Sequence, residues 1–482
     1  MRTKNTVGLA FAVGALLARP IAAQDDAPCL VEAPGRSALG RAFEAGGASE
    51  QEKTPSVETV REGGTKHFFR AAGELALLEV GPWAFDRYVH RYDFAFISAH
   101  TVSENFKTGF QFDHDDFSTN QSWHPYHGSL FFDAARSNGY DFWASGVFAL
   151  AGSLVWECCM ENTAPSINDL VNTTLGGMTR GEVSHRLSLL ILDNTSTGTS
   201  RLLREIGAGV INPVGSLNRL LNGETGREFP NPEDRVPSVV ALSSDLGYRH
   251  IGGGALHPHQ TTLALSFVYG NPFEGDLARP FDAFWVGVDL NTPGTLASRI
   301  EERGVLKGWE LTDPSSAIRH VFGFSQEYEY LNNASQVFGA QILSVGLLSR
   351  YGLGSRLMAV TDASVILMPL AGIKTVDFQN QDSSYDYAPG GGLRVAGRLY
   401  LGALEILGLA YGVGWTRTIN GLSDSNTLQF FRSVARFPLA GPIGAGAGYN
   451  WYSRKTSYPA FFEPRKTQSE WRVFLDAAFA FR

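Results

Sequence analysis

His124 and His127 stand three residues apart around Pro125, which suits the first turn of a helix, so both side chains fall within one helical turn of each other. With Glu157 and Glu182 they offer a donor set suited to zinc or iron. Equally, they read as histidines hydrogen-bonded at a helix end. Glu157 closes a long apolar stretch, and a carboxylate buried there is costly unless it is paired. It is therefore a catalytic or metal-binding acid, or the partner of an arginine such as Arg136 or Arg186. Asp169 follows Ser166 at capping-box spacing, which gives it a structural role at a helix start marked by Pro165. Glu182 and His185 form a Glu-x-x-His pair, the spacing of carboxylate-bridged metal sites in helical bundles. No second copy exists, and Glu182 also stands four residues before Arg186, as an ion pair requires. The candidate catalytic residues are thus His124, His127, Glu157, Asp169 and Glu182, with cofactor and metal left unspecified by their spacing.

Other chemistry is excluded by pattern. Asp113-His114-Asp115-Asp116 fails the calcium-loop test, with Phe117 at a ligand position and Ser118 where glycine is needed, and reads as a solvated acidic turn. The chain has no Walker A motif, no dinucleotide glycine fingerprint, no G-x-S-x-G elbow and no paired CxxC. Gly390 to Gly392 read as a loop between strands that no helix follows, so they cradle no phosphate.

The candidates sit in a helical region, residues 63–225. Phe142 to Trp156 is an uncharged run; as a helix it spans about 22 Å, short of a bilayer core, and reads as a buried helix. Gly146, Leu150, Ser153, Glu157 and Glu161 recur at helical spacing along one face. Two segments, His124 to Glu161 and Pro165 to Ser188, carry the runs His124-Pro-Tyr-His-Gly-Ser129, Ala135-Arg-Ser-Asn-Gly139, Phe142-Trp143, Trp156-Glu157, Pro165-Ser-Ile-Asn-Asp169 and Gly181-Glu182. Through these motifs, residues of about 66–195 resemble a bacterial family of uncharacterised envelope proteins, a domain of unknown function (family 3943). The resemblance implies an exported bacterial protein with a C-terminal barrel, and implies no reaction.

From about residue 236 the period changes to two. Leu263, Leu265 and Phe267 alternate with Ala264 and Ser266, Phe322 and Phe324 with Gly323 and Ser325, and Leu407, Leu409 and Tyr411 with Gly408 and Ala410. About twelve such runs fill 236–482, an even number, as single-chain outer-membrane barrels require. Tyr248, Tyr269, Trp309, Tyr328, Tyr330, Trp415, Trp451 and Trp471 cluster at run ends, like interfacial girdles. The last run, Val473 to Phe481, ends on an aromatic, with Arg482 after it. The expected fold is α+β: an N-terminal helical domain, then an antiparallel transmembrane β-barrel. Arg394, Arg398, Glu327 and Glu329 should point into its lumen. One or two helices would fit inside, with the rest at the periplasmic mouth.

Composition agrees. Of 482 residues, 44% are hydrophobic and 18% charged, with 53 glycines. Mean hydropathy of -0.09 excludes a bundle of transmembrane helices. A net charge of -8 excludes a dedicated nucleic-acid binder, which needs a basic surplus. Arg2 and Lys4, the apolar stretch Val7 to Leu17 and the small residues up to Ala23 form the layout of a signal peptide over 1–23. A polar leader follows over 24–62. Cys158 and Cys159 are adjacent and too strained to bridge each other; Cys29 pairs with one of them in an oxidising compartment, or stays a free thiol beside two small buried side chains. The expected location is the outer membrane of a Gram-negative-type bacterium. The partners would be outer-membrane lipids and a periplasmic envelope protein. Two functions remain. One is a non-enzymatic barrel whose helical domain plugs it or docks that partner. The other is an outer-membrane enzyme modifying lipid or lipopolysaccharide, whose five candidate residues converge in one cleft.

Overall fold

The computed structural model describes residues 65–481, apart from 114, 233–235, 253–254, 314, 376–384, 402–403 and 460–461. The expected signal segment, the leader and Cys29 lie outside the described residues. The helices are α1 (Phe68–Phe85), α2 (Ala99–Thr108), α3 (His124–Arg136), α4 (Phe142–Val155), α5 (Ile167–Val171), α6 (Gly177–Ile191), α7 (Gly198–Ile211) and α8 (Pro213–Leu221).

Local chemistry starts several of them. The Asp141 carboxylate accepts from Ala144 N at 2.9 Å and caps α4, and Ser166 Oγ accepts from Asp169 N at 3.2 Å and caps α5. Pro125 occupies the first turn of α3, where its missing N–H costs nothing. Helices α3 and α6 cross almost in contact. A Cβ on Gly128 would lie 1.8 Å from the Thr173 carbonyl oxygen, and one on Gly177 would lie 2.4 Å from the Gly128 carbonyl carbon. Phe131, Phe132, Phe142, Ala149, Met178 and Val183 fill the core between α3, α4 and α6.

The strands are β1 (Val240–Ile251), β2 (His259–Tyr269), β3 (Phe284–Thr292), β4 (Ala297–Glu310), β5 (Ile318–Asn332) and β6 (Val337–Gly352). The second half is β7 (Leu357–Lys374), β8 (Asp386–Leu401), β9 (Leu404–Arg417), β10 (Ser425–Ala440), β11 (Ile443–Ser457) and β12 (Lys466–Phe481). Each pairs with its neighbours in sequence, and β1 pairs with β12, so the twelve strands form one closed antiparallel barrel. Closure leaves no open edge, which is what a bilayer demands of a sheet. The run Gly390 to Gly392, expected in a loop, lies inside β8; the glycines let backbone approach closely, since a Cβ on Gly392 would meet Val413 O at 2.2 Å.

Ion pairs between non-adjacent strands identify the lumen. Arg432 on β10 reaches Glu301 on β4 at 3.2 Å, and Arg394 on β8 reaches Glu327 on β5 at 2.8 Å. Arg303 adds Glu327 at 3.3 Å and Asp362. Arg436 joins Asp245 at 3.2 Å to Glu405 at 2.9 Å. Arg398 and Glu329 share this face, so all four charges expected inside are inside. Toward the β5–β6 turn the lumen is apolar, packed with Leu331, Phe338, Ile342, Met368, Ile373, Leu428 and Tyr452. The opposite face presents Leu347, Val365, Leu367, Leu393, Val395 and Leu409 to the outside. Polar inside and apolar outside is the transmembrane arrangement.

The helices are not a plug, and they do not gather at a mouth. They lie on the outer wall. Phe267, Val286, Glu302, Tyr328 and Gln341 form one outward row across β2 to β6, and Tyr269, Phe284, Gly304 and Gln326 form the next. Tyr269 and Phe284 belong to the same core as Phe131 and Phe142. Gln326 Nε2 donates to Leu175 O at 2.8 Å, Tyr328 Oη donates to Gln121 O at 2.5 Å, and Arg180 Nε donates to Glu302 at 3.4 Å. Tyr269, Tyr328 and Tyr330, expected in an interfacial girdle, are therefore buried beneath helices, whereas Tyr248, Trp309, Trp415 and Trp471 are exposed as a girdle requires. The physical reason is the wall itself, which carries Glu302, Gln326 and Gln341 outward, where lipid would leave them unsatisfied.

Candidate metal centre

Three of the five candidate residues come together. One donor atom each from His124, Glu157 and Asp169 lies within 4.8 Å of the others. They arrive from different elements: His124 opens α3, Glu157 follows α4, and Asp169 lies in α5. A π-helical turn adjoins each of them, Thr119–Trp123 before His124, Trp156–Met160 around Glu157, and Asn172–Gly176 after Asp169. Such turns insert a residue into the helical register and are frequent at functional sites. Leu150 and Glu157, expected on one face, part company, because Glu157 continues the buried face of Gly146, Ala149 and Ser153 while Leu150 turns outward. Leu150 is exposed and Glu157 is 2% exposed.

His124 Nε2 stands 3.4 Å from Asp169 Oδ1, and Glu157 Oε2 accepts from Ser166 N at 2.8 Å. Asn168 Nδ2 donates to Asp169 Oδ1 at 3.0 Å and to Asp113 Oδ1 at 2.6 Å. Asn120 Nδ2 adds a second donor to Asp113 at 3.2 Å and also meets the Tyr385 hydroxyl, beside β8. Both asparagines are fully buried. The amide chain thus ties the cluster to the barrel wall. Asp113 belongs to the segment read as a solvated turn; Asp115 and Asp116 are exposed, but Asp113 turns inward. Only its place in the fold reveals that, since the acidic run looks uniform in sequence.

Burial raises the Asp169 carboxyl well above its ordinary value, and the nearby Asp113 and Glu157 charges push it further. Burial likewise lowers His124 to about 4, leaving a neutral imidazole. A neutral imidazole beside two acidic side chains is a donor set that could hold a cation.

The other two candidates do different work. His127 Nε2 lies 3.2 Å from Leu78 O, its ring between Phe131 and Trp156, and it stands outside the donor group. Glu182 is an ion-pair residue, accepting from Arg136 Nε at 2.7 Å and Arg186 Nε at 2.7 Å. That pairing takes both arginines that sequence offered to Glu157, which helps explain why Glu157 turns to a backbone amide instead.

Residues 109–214 match a domain of unknown function, DUF3943. All three donors fall within the DUF3943 segment, as does Asp113. No curated protein matches the chain. Its barrel half is similar to solved structures of outer-membrane proteins. The NanC porin is 10% identical over 48% of this chain and 98% of its own, with a TM-score of 0.27. The outer membrane channel DcaP of Acinetobacter baumannii is 11% identical over 50% and 96%, with a TM-score of 0.21. An anion-selective porin from Comamonas acidovorans is 8% identical over 50% and 99%, with a TM-score of 0.21. Scores this low carry no functional weight.

Proposed function

We propose that this protein is an outer-membrane barrel bearing, on its outer wall, a metal-dependent enzyme that acts on membrane lipid. The observation that carries the reading is the convergence of His124, Glu157 and Asp169 donors within 4.8 Å. One imidazole and two carboxylates suit a divalent first-row ion such as Zn²⁺ or Mn²⁺. When bound, such an ion supplies Lewis acidity toward an ester or phosphoester and a more acidic water. His124, Glu157 and Asp169 would hold it, with Asn168 orienting Asp169 and the Ser166 amide orienting Glu157. Outer-membrane placement is supported by the apolar outward band and the charged lumen; export by residues 1–23 belongs to the same reading.

The test is metal content of the full-length chain purified in detergent, with lipid extracts of producing cells compared by mass spectrometry. The expected result is close to one equivalent of Zn²⁺ or Mn²⁺, lost in His124→Ala and Glu157→Gln. A lipid species should change in cells making the wild type, and not in cells making either variant. A folded wild type that takes up neither ion on reloading overturns the metal site. Metal uptake with an unchanged lipid profile overturns the lipid substrate.

A further inference from the structure

The helical domain has its polarity inverted. In α1, Phe68, Phe69, Leu77, Val80 and Phe85 are exposed, Phe69 to 90%, while its two carboxylates, Glu74 and Glu79, are 6% and 2% exposed. A helix on a water-facing surface does the reverse. Helix α4 repeats the pattern: Trp143, Val147, Leu150 and Val155 face out, and Glu157, in the π turn that continues it, faces in. Continued through its π turn, Phe142–Met160 is 19 residues, long and apolar enough to cross a membrane, and half of it is buried. The buried helix expected over Phe142–Trp156 is thus longer, and only half of it is buried.

Depth agrees with polarity. The helices cover Val286 and Val288 in the middle of β3, and Ile300 and Glu302 in β4. The midpoint of a transmembrane strand lies in the hydrocarbon layer, so the domain takes the place of lipid there. Its outer surface then continues the apolar band of Val365 and Leu393. Exposed apolar surface of this extent marks an interaction face.

We infer that α1 and α4 form a lipid-contacting surface, and that the helical domain lies within the hydrocarbon layer beside the barrel, with acyl chains as its ligand. This rests on the outer-membrane reading above and deepens it, since a site so placed meets its substrate from the bilayer.

The test reconstitutes the full chain in phosphatidylcholine vesicles containing a phospholipid with a photoactivatable diazirine at mid-acyl chain, and maps adducts by peptide mass spectrometry. The expected result is adducts on Leu77 and Phe69 of α1 and Val147 and Leu150 of α4, at yields within a few-fold of those on Val365 and Leu393. Adducts on Val365 and Leu393 with none on α1 and α4 overturn the inference and assign the apolar face to a protein partner. Adducts on neither set overturn the membrane-barrel reading itself.

Discussion

Removing the charge of Glu182 should unlock the helical domain and leave the barrel intact. Glu182 is fully buried and accepts from Arg136 Nε at 2.7 Å, Arg136 Nη2 at 3.1 Å and Arg186 Nε at 2.7 Å. Arg186 goes on to Pro280 O at 2.7 Å and to Asp282 at 3.5 Å, between β2 and β3. The triad thus ties α3 to α6 and α6 to the barrel. Glu182→Gln keeps the shape but leaves two buried guanidinium groups facing each other. Breaking a buried pair from one side costs about 3–5 kcal/mol. Arg186 retains Asp282, so the low end applies, roughly 3 kcal/mol or about a hundredfold in the opening equilibrium. Hydrogen exchange on the reconstituted chain reads this directly. Amides of α3 and α6 should exchange about a hundredfold faster, with the strands unchanged. Unaltered exchange in α3 and α6 would refute the reasoning.

The same triad sets a pH dependence. Burial alone would raise the Glu182 carboxyl, but Arg136 and Arg186 override it and hold it well below its ordinary 4.5. A depressed carboxyl contributes its full stability above the unfolded value and loses it as pH falls through the folded one. Protection of α6 by this group should therefore be flat from neutral pH to near 5 and fall only in stronger acid. The adjacent His185 is lowered to about 3, by burial first and Arg136 second, so it stays neutral across that window.

Gly128→Ala should destabilise the domain by about 2 kcal/mol or more, the usual range for overpacking, because its Cβ would lie 1.8 Å from Thr173 O; limited proteolysis within 109–214 would report it. Arg180→Met should strand Glu302, a buried carboxylate on the outward wall, and loosen the helices from β4 and β5, with Arg180→Lys recovering much of the loss; a disulfide trap between the two would read the change. Reconstituted in a planar bilayer, the wild type should show no porin-sized conductance, because the Arg394–Glu327–Arg303 and Arg432–Glu301 pairs and the apolar layer around Phe338 and Met368 fill the lumen. Steady large steps would contradict that packing.

The barrel was legible from the chain because a strand's period of two is local: Leu407, Leu409 and Tyr411 against Gly408 and Ala410 need no distant partner to declare two faces. The Ser166 cap and the Glu182–Arg186 pair were legible for the same reason, their partners being three and four residues away. Tertiary structure decided which side of the wall the helices take. Glu302, Gln326 and Gln341 look like lumen residues in a strand pattern, and only closure of the barrel with their register turns them outward, where helices must cover them. It also decided which acids meet. Helical spacing grouped Glu157 with Leu150 and offered Arg136 and Arg186 as its partners, but Leu150 faces out and both arginines go to Glu182. Glu157 is thereby left beside His124 and Asp169, residues that no periodicity connects, because they belong to three helices whose packing sets their distance.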